Sequence, residues 1–493
     1  MKIKFCGADQ NVTGSRHLLE INGIKILLDC GMFQGGNRDK IRKLNEEFLF
    51  DPKEVDYVLI SHAHIDHCGM LPRLVKMGFN GKVISTTANR DLMEVMLLDS
   101  AHIQVQDAKY VKKHFKGKSE FLREPLYTDK DVKKAMELFV GYNYFKKFKL
   151  HENIWVTLYD AGHVLGSAII GIDFKDGKEQ RRLVFTGDLG RKYMPILNDP
   201  YQVDHADILI TESTYASHLH DSIDSVYEEV TWAVNDVIKR GGKIIVPSFS
   251  FERTQAFVYV LHQLYDQGKI PKIPIFVDSP LSTRISKVFD KYRDYYDNET
   301  FRDFLDKKKS PFYFNEIKYT KSVEESKKLN FYKKPCIIIS ASGMCEAGRI
   351  MHHLKNHMTD PKNMILVIGF MAQGTRGRMI VEGKPRIKIY GEKYPLKADV
   401  VVLNSFSSHA DKLELLEYIK NISDLKNIFI VHGEESECAM LRDNIYNILK
   451  LKCRVDVADM GEEFEITNKG TTSKMGKRRE KYKKDMGNLK SKV

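Results

Sequence analysis

Short β-branched runs separated by turns set the texture of the first third of the chain. Ile24 to Asp29, Val55 to Ile60 and Lys82 to Ile84 have the pattern of buried strands. Ile65 to Gly78 and Arg90 to about Phe115 carry apolar residues at helical spacing. The first stops on a glycine, and the second turns Lys-rich at Lys109, Lys112, Lys113, Lys116 and Lys118, which reads as a solvated helix face. A second strand series, Ile154 to Leu158, Ala168 to Phe174, Arg182 to Phe185 and Asp207 to Ile210, has hairpin-length connections and predicts stacked rather than purely parallel sheets.

From about residue 222 to 370 the pattern changes. Helical segments (Val226 to Arg240, Thr254 to Gln267, Thr283 to Tyr296) alternate with continuous apolar strands (Lys243 to Pro247, Ile275 to Val277, Cys336 to Ser340, Met364 to Ile368). That alternation predicts a parallel α/β unit with its own core. After residue 390 the series Asp399 to Leu403, Leu413 to Ile422, Ile428 to Val431 resumes the earlier style. The expectation is one α/β domain inserted into another: residues 1–209 and 391–467 form the host, 210–390 the insertion, and 468–493 a tail.

Length agrees with that division, since 493 residues exceed one ordinary core. Charge changes the picture more than composition does. The net charge is +12, but residues 469–493 hold ten Lys/Arg against Glu480 and Asp485, a net +8, which leaves only +4 for the other 468 residues. The body is therefore nearly balanced, so a basic surface there would have to come from clustering. The tail has almost nothing apolar to bury and is expected to be solvated and disordered. Seven cysteines, odd in number and without a C-x-x-C pair, exclude a disulfide framework and a cysteine zinc knuckle. The N-terminus has no apolar signal core, and the longest apolar run, Met364 to Ala372, is too short to span a bilayer; a cytoplasmic protein without a membrane partner is expected.

The strongest chemical signal is Ser61-His62-Ala63-His64-Ile65-Asp66-His67, where a strand gives way to a helix. Three imidazoles and a carboxylate in six residues are costly to hold together without a cation between them. His62 and His64 can converge on one ion from an extended segment, while Asp66 and His67 point to a second. An exposed His-rich turn fits this density poorly. His163, Asp188 and His432 each follow a predicted strand and would complete two sites, with Asp188 placed to bridge them. Singly, each also fits an ordinary cap or turn residue.

These residues, with the early Leu27-Leu28-Asp29-Cys30-Gly31, the Gly162-His163 and Thr186-Gly187-Asp188 turns, and the surroundings of Glu212, His409 and His432, resemble the β-CASP nuclease branch of the metallo-β-lactamase superfamily. Within it they are most similar to the short bacterial RNA-processing nucleases and to the endonuclease subunit of the pre-mRNA 3′-end cleavage factor. The resemblance runs from Met1 to about Thr467. It implies a metallo-β-lactamase αββα sandwich with an inserted parallel β-CASP domain. It also implies two zinc ions per chain: His62, His64 and His163 on one, Asp66, His67 and His432 on the other, and Asp188 between them. Asp29 would orient a ligand histidine from behind, Glu212 and His409 match the family's acidic and histidine motifs, and the histidine at 432 tilts the substrate towards RNA.

The implied activity is hydrolysis of single-stranded RNA in a cleft between the two domains, leaving 5′-phosphate and 3′-OH ends. Two metal ions activate the attacking water and neutralise a phosphate oxygen. His409 would give the leaving oxygen its proton, with Glu212 keeping it charged and oriented; Asp66 and Asp29 complete the catalytic set. Without the resemblance, His409 reads better as a helix-start residue beside the Asp411 cap. Arg253, Ser342 and Arg376, at strand-to-helix turns of the insertion, are candidate phosphate contacts, although turn chemistry explains those segments as well. Missing extra domains favour endonucleolytic over 5′-exonucleolytic action. A small-molecule hydrolase of the same fold (thioester or lactam), an idle RNA-binding scaffold and a homodimer stay open.

Overall fold

The structure is a computed structural model that describes residues 1–114, 124–369, 371–372, 374–403 and 406–474. Two compact units emerge: Met1–Lys192, Asp199–Leu219 and His409–Val493 in the first, and Tyr193–Asn198 with His220–Ser408 in the second.

In the first unit an eight-stranded sheet and a seven-stranded sheet pack face to face. Side-chain alternation explains the layering. In the seven-stranded sheet Ile154, Val156, Leu158, Ile170, Ile172, Leu183 and Phe185 enter the core between the sheets, where they meet Ile3, Phe5, Leu19 and Ile26. The intervening Ile169, Val184, Leu209, Ile428 and Ile430 face a second core with Leu415, Leu416, Ile419, Cys438 and Leu441 from the helices Lys412–Lys420 and Glu435–Asn444. The long helix Thr87–His114 lies against the strand Lys82–Thr86 of the other sheet. Helix, sheet, sheet and helix layers follow.

The second unit has a six-stranded, all-parallel sheet in the order Ile317–Tyr319, Ile275–Val277, Ile337–Ser340, Ile244–Pro247, Met364–Val367, Asp399–Val402. Its central strands are buried on both faces, as continuous apolar runs require. No helix among the described residues is long and apolar enough to cross a membrane.

Four expectations need correction. The strand Asp399–Val402 does not resume the first unit's pattern but pairs with Met364–Val367 in the second unit's sheet; a β-branched run cannot by itself name its sheet. The helix expected over 65–78 is two helices, Ile65–Cys68 and Leu71–Lys76. It breaks because Met70 N donates to Cys30 O (2.8 Å) and Pro72 has no N–H. The helix expected to reach Tyr296 ends at Lys291 and gives way to a 3₁₀ turn over Arg293–Tyr295. Finally, Gly470–Lys474, read as the start of the tail, is a strand antiparallel to Glu463–Thr467. It is an exposed edge held by backbone hydrogen bonds, which composition does not reveal. The remaining tail, 475–493, lies outside the described residues.

One buried ion network organises the second unit. Asp278 is fully buried and accepts hydrogen bonds from Arg349 Nη1 (2.7 Å), His353 Nε2 (2.7 Å), Ser326 Oγ (2.5 Å) and Thr320 Oγ1. Burial alone would raise its pKa, but these donors outweigh it and hold the carboxyl well below the usual range. A depressed folded pKa means stability present above the unfolded value and lost as pH falls towards the folded one. Asp278→Asn is expected to cost about 3 kcal/mol in denaturant unfolding at neutral pH, because it leaves Arg349 facing an uncharged partner. That deficit should shrink as pH drops below about 4.

Candidate metal centre

The strands Ile154–Asp160, Glu179–Phe185, Ile208–Thr211 and Asn427–Ile430 run in the same direction, because two antiparallel steps separate the first two and the rest are parallel. Their C-terminal ends carry His163, Asp188, Glu212 and His432 in turn. From the facing sheet, Tyr57–Leu59 leads into Ser61-His62, and Ala168 N donates to Ser61 O (2.8 Å), which joins the sheets at this end. His64 is the N-cap of Ile65–Cys68, so Asp66 and His67 sit on its single turn. His409 precedes the helix Lys412–Lys420, capped by Asp411, and is anchored where Ala410 N donates to Leu189 O (2.8 Å). Close packing fixes the Asp188 turn: Gly187 has φ 55°, and a Cβ there would lie 2.6 Å from Ser61 Cβ.

Seven side chains converge in two groups sharing one carboxylate. His62 Nε2 lies 2.9 Å from His64 Nδ1, and His64 Nδ1 lies 3.3 Å from His163 Nε2. Asp188 Oδ2 is 3.5 Å from His62 Nε2 and 3.6 Å from His163 Nε2. On the other side, His67 Nε2 is 3.1 Å from His432 Nε2 and 3.2 Å from Asp188 Oδ1, and Asp66 Oδ2 is 3.5 Å from His432 Nε2. Ligand atoms on one tetrahedral zinc at ~2.0–2.1 Å are about 3.3–3.4 Å apart, so both groups have the spacing of a coordination shell. Asp188 Oδ1 is buried without a hydrogen bond, an arrangement that a cation would satisfy. The residues present fit a pair of divalent ions, with Asp188 turning one oxygen to each group.

Electrostatics point the same way. Burial pushes His62 well below its ordinary pKa and His64 down to about 4, which keeps both rings neutral and able to ligate. Burial would also raise Asp66, but the hydrogen bond from His432 and the charge of His67 hold it at about 2. Burial lowers His67 as well, yet Asp188 and Asp29 outweigh it and push that ring well up. A cation between the same carboxylates would take the place of the His67 proton.

Behind the cluster, Asp29 Oδ2 accepts from His67 Nδ1 (2.7 Å), which turns Nε2 towards Asp188. Asp29, at φ 58°, also accepts from Ser61 N (2.7 Å), Ser61 Oγ (3.0 Å) and Ser15 Oγ (3.1 Å). Ser15 and Thr214, whose Oγ1 lies 3.2 Å from His432 Nδ1, have no place in the sequence reading, and Ser61 enters it only as the first residue of the histidine run, without a role. Serine and threonine are too common in turns to signal such roles, and only the fold brings them to these rings. Glu212 is fully buried; its oxygens accept from Leu189 N (2.6 Å) and Thr214 N (3.3 Å), and both stand 3.2 Å from His409 Nδ1.

The three candidate phosphate contacts belong to the second unit. Arg253 starts the helix Arg253–Asp266, donates to Ile368 O (3.2 Å) and stacks on Phe249 at 5.5 Å. Ser342 and Arg376 meet at Glu346: Ser342 Oγ accepts from Glu346 N (3.3 Å), and Arg376 Nη1 pairs with Glu346 Oε2 (2.8 Å).

Comparison with known proteins agrees with this geometry. A metallo-beta-lactamase superfamily domain model matches residues 18–197, a Beta-Casp domain model residues 254–380, and a Zn-dependent metallo-hydrolase RNA specificity domain model residues 393–456. The chain is 36% identical to Ribonuclease TTHA0252 of Thermus thermophilus, across 90% of this chain and 95% of that one. It is 32% identical to an RNase J-like protein of Methanocaldococcus jannaschii (92% and 98% covered) and 29% identical to cleavage and polyadenylation specificity factor 73 of Drosophila melanogaster (90% and 61%). A crystal structure of a protein of unknown function from Enterococcus faecalis shares the fold, with TM-score 0.53 and 13% identity over 94% of this chain and 99% of that one.

Proposed function

The chain belongs to the β-CASP branch of the metallo-β-lactamase superfamily, and on that premise we propose that it is a two-zinc ribonuclease cutting single-stranded RNA to 5′-phosphate and 3′-OH ends. One observation carries the reading: Asp188 directs one carboxylate oxygen to the His62/His64/His163 group and the other to the Asp66/His67/His432 group. A pair of divalent ions held there supplies Lewis acidity to a phosphate oxygen and lowers the pKa of water. Asp29 fixes the ring of His67, and Thr214 that of His432. Glu212 anchors His409 through Nδ1, so that His409 can carry the proton the leaving 3′-oxygen needs. Arg253, Ser342 and Arg376 are proposed to meet substrate phosphates, Arg376 by exchanging its Glu346 partner.

The test is cleavage of end-labelled single-stranded RNA, with the 5′ end blocked or unblocked, by zinc-loaded protein. Internal products from both substrates, each new end bearing a 5′-phosphate, are expected. Products with 2′,3′-cyclic phosphate, or cleavage confined to small esters and lactams, would contradict the proposal.

A further inference from the structure

Resting on the ribonuclease reading, we propose that Phe145 and Tyr201 form a stacking platform for unpaired RNA bases beside the loop that presents His163. The segment Tyr142-Asn143-Tyr144-Phe145-Lys146-Lys147-Phe148-Lys149 interleaves four aromatic residues with three lysines. Phe145 is 57% exposed although it is fully apolar, and it adopts φ 61°, a left-handed backbone that bulky side chains avoid. A hydrogen bond from its N–H to Leu158 O (2.8 Å) holds it there. Tyr201, 39% exposed, lies parallel to Tyr159 at 4.9 Å, and the Phe145 ring meets Tyr201 edge-on at 5.1 Å. Arg182 donates to the Tyr159 hydroxyl, and its guanidinium lies 5.7 Å from that ring. The result is a packed group of rings with two members open to solvent, in the same segment as the exposed Lys146 and Lys149.

This group holds both ends of the catalytic loop. Tyr201 N donates to Asp160 O (2.9 Å), and Asp160 Oδ1 accepts from Gly162 N (2.9 Å). Tyr144 donates to Ser167 O (2.7 Å), while Ser167 Oγ accepts from His163 N (3.2 Å) and Val164 N (3.2 Å). Three peptide links join Asp160 to His163, at most about 10 Å of chain, so a base on the platform would lie within a few nucleotides of the metal centre. Aromatic faces take any base, and the neighbouring lysines suit the phosphates between them. A protein partner fits less well, because the centres of protein interfaces are depleted in lysine.

Steady-state cleavage by full-length, zinc-loaded protein tests the platform, using a short single-stranded oligoribonucleotide and versions of it lacking one base at a time. Phe145→Ala/Tyr201→Ala should raise KM roughly 10-fold with kcat within about twofold of wild type. Phe145→Leu should share part of that loss because it keeps bulk without a flat π face, and Tyr201→Phe should behave as wild type. In the wild type, removing the base at one or two neighbouring positions should raise KM similarly; in the double variant those positions should fall silent. Unchanged KM, or the same response to missing bases in both proteins, would overturn the platform and leave the surface to a protein partner. So would a lowered kcat with a lowered melting temperature, which would make the rings structural supports. A wild type that cuts no RNA would instead refute the ribonuclease reading itself.

Discussion

Replacing Asp188 by alanine is expected to remove RNA cleavage almost entirely, by about 10⁴-fold or more, together with most of the bound metal. The expectation follows from one carboxylate serving two groups: its oxygens lie 3.2–3.6 Å from ligand nitrogens of His62, His163 and His67. Among the described residues, Asp66 groups with His67 and His432, while Asp188 groups with His62, His64 and His163, contacts His67 as well, and also neighbours Glu212 and His409. Removing Asp188 also leaves the converging imidazoles without the buried negative charge that balances a cation. Elemental analysis of wild type and variant decides the point, with circular dichroism to confirm that the two sheets remain. Full metal occupancy in the variant, or wild-type protein that holds a single ion, would refute the bridging assignment.

His409→Ala is expected to behave differently: metal content unchanged, cleavage rate down roughly 10²–10⁴-fold. His409 Nδ1 is committed to Glu212 at 3.2 Å and lies 4.0 Å from Asp188, so it stands beside the metal cluster, where the proposal makes it the proton carrier. His432→Ala should weaken metal binding instead, because its Nε2 lies 3.1 Å from His67 Nε2. A chemical substitution sharpens the contrast. RNA carrying sulfur in place of the bridging 3′-oxygen has a leaving group that needs no proton, so His409→Ala should recover most of its rate on that substrate while Asp188→Ala should not. Metal loss in His409→Ala, or no gain from the sulfur substrate, would take the acid role away from His409.

Much of this was legible in the sequence, and the reason differs from one element to another. The run His62 to His67 announces itself because so many side chains able to ligate a metal in so few residues have one economical explanation. Strand 154–160 and its neighbours are readable because each alternates between two cores with period two. Asp399–Val402 was not, since a short β-branched strand fits either sheet and only its parallel register with Met364–Val367 decides. The strand Gly470–Lys474 hid for the opposite reason: it is held by backbone pairing with Glu463–Thr467 and has little apolar character. At the site, Ser15, Ser61 and Thr214 act through contacts between residues far apart in sequence, Thr214 reaching His432 across 218 positions. Phe145 carries no signal of its own in the sequence; its exposure and backbone are what set it apart.

The central claim is that two metal ions in this cluster make the chain a ribonuclease. Stripping the protein with a chelator and titrating zinc back while following cleavage of single-stranded RNA tests it most directly. Activity absent from the stripped protein, rising with added zinc and reaching its plateau at about two ions per chain, is the predicted result. Full activity without metal, or a plateau at one ion, would contradict it.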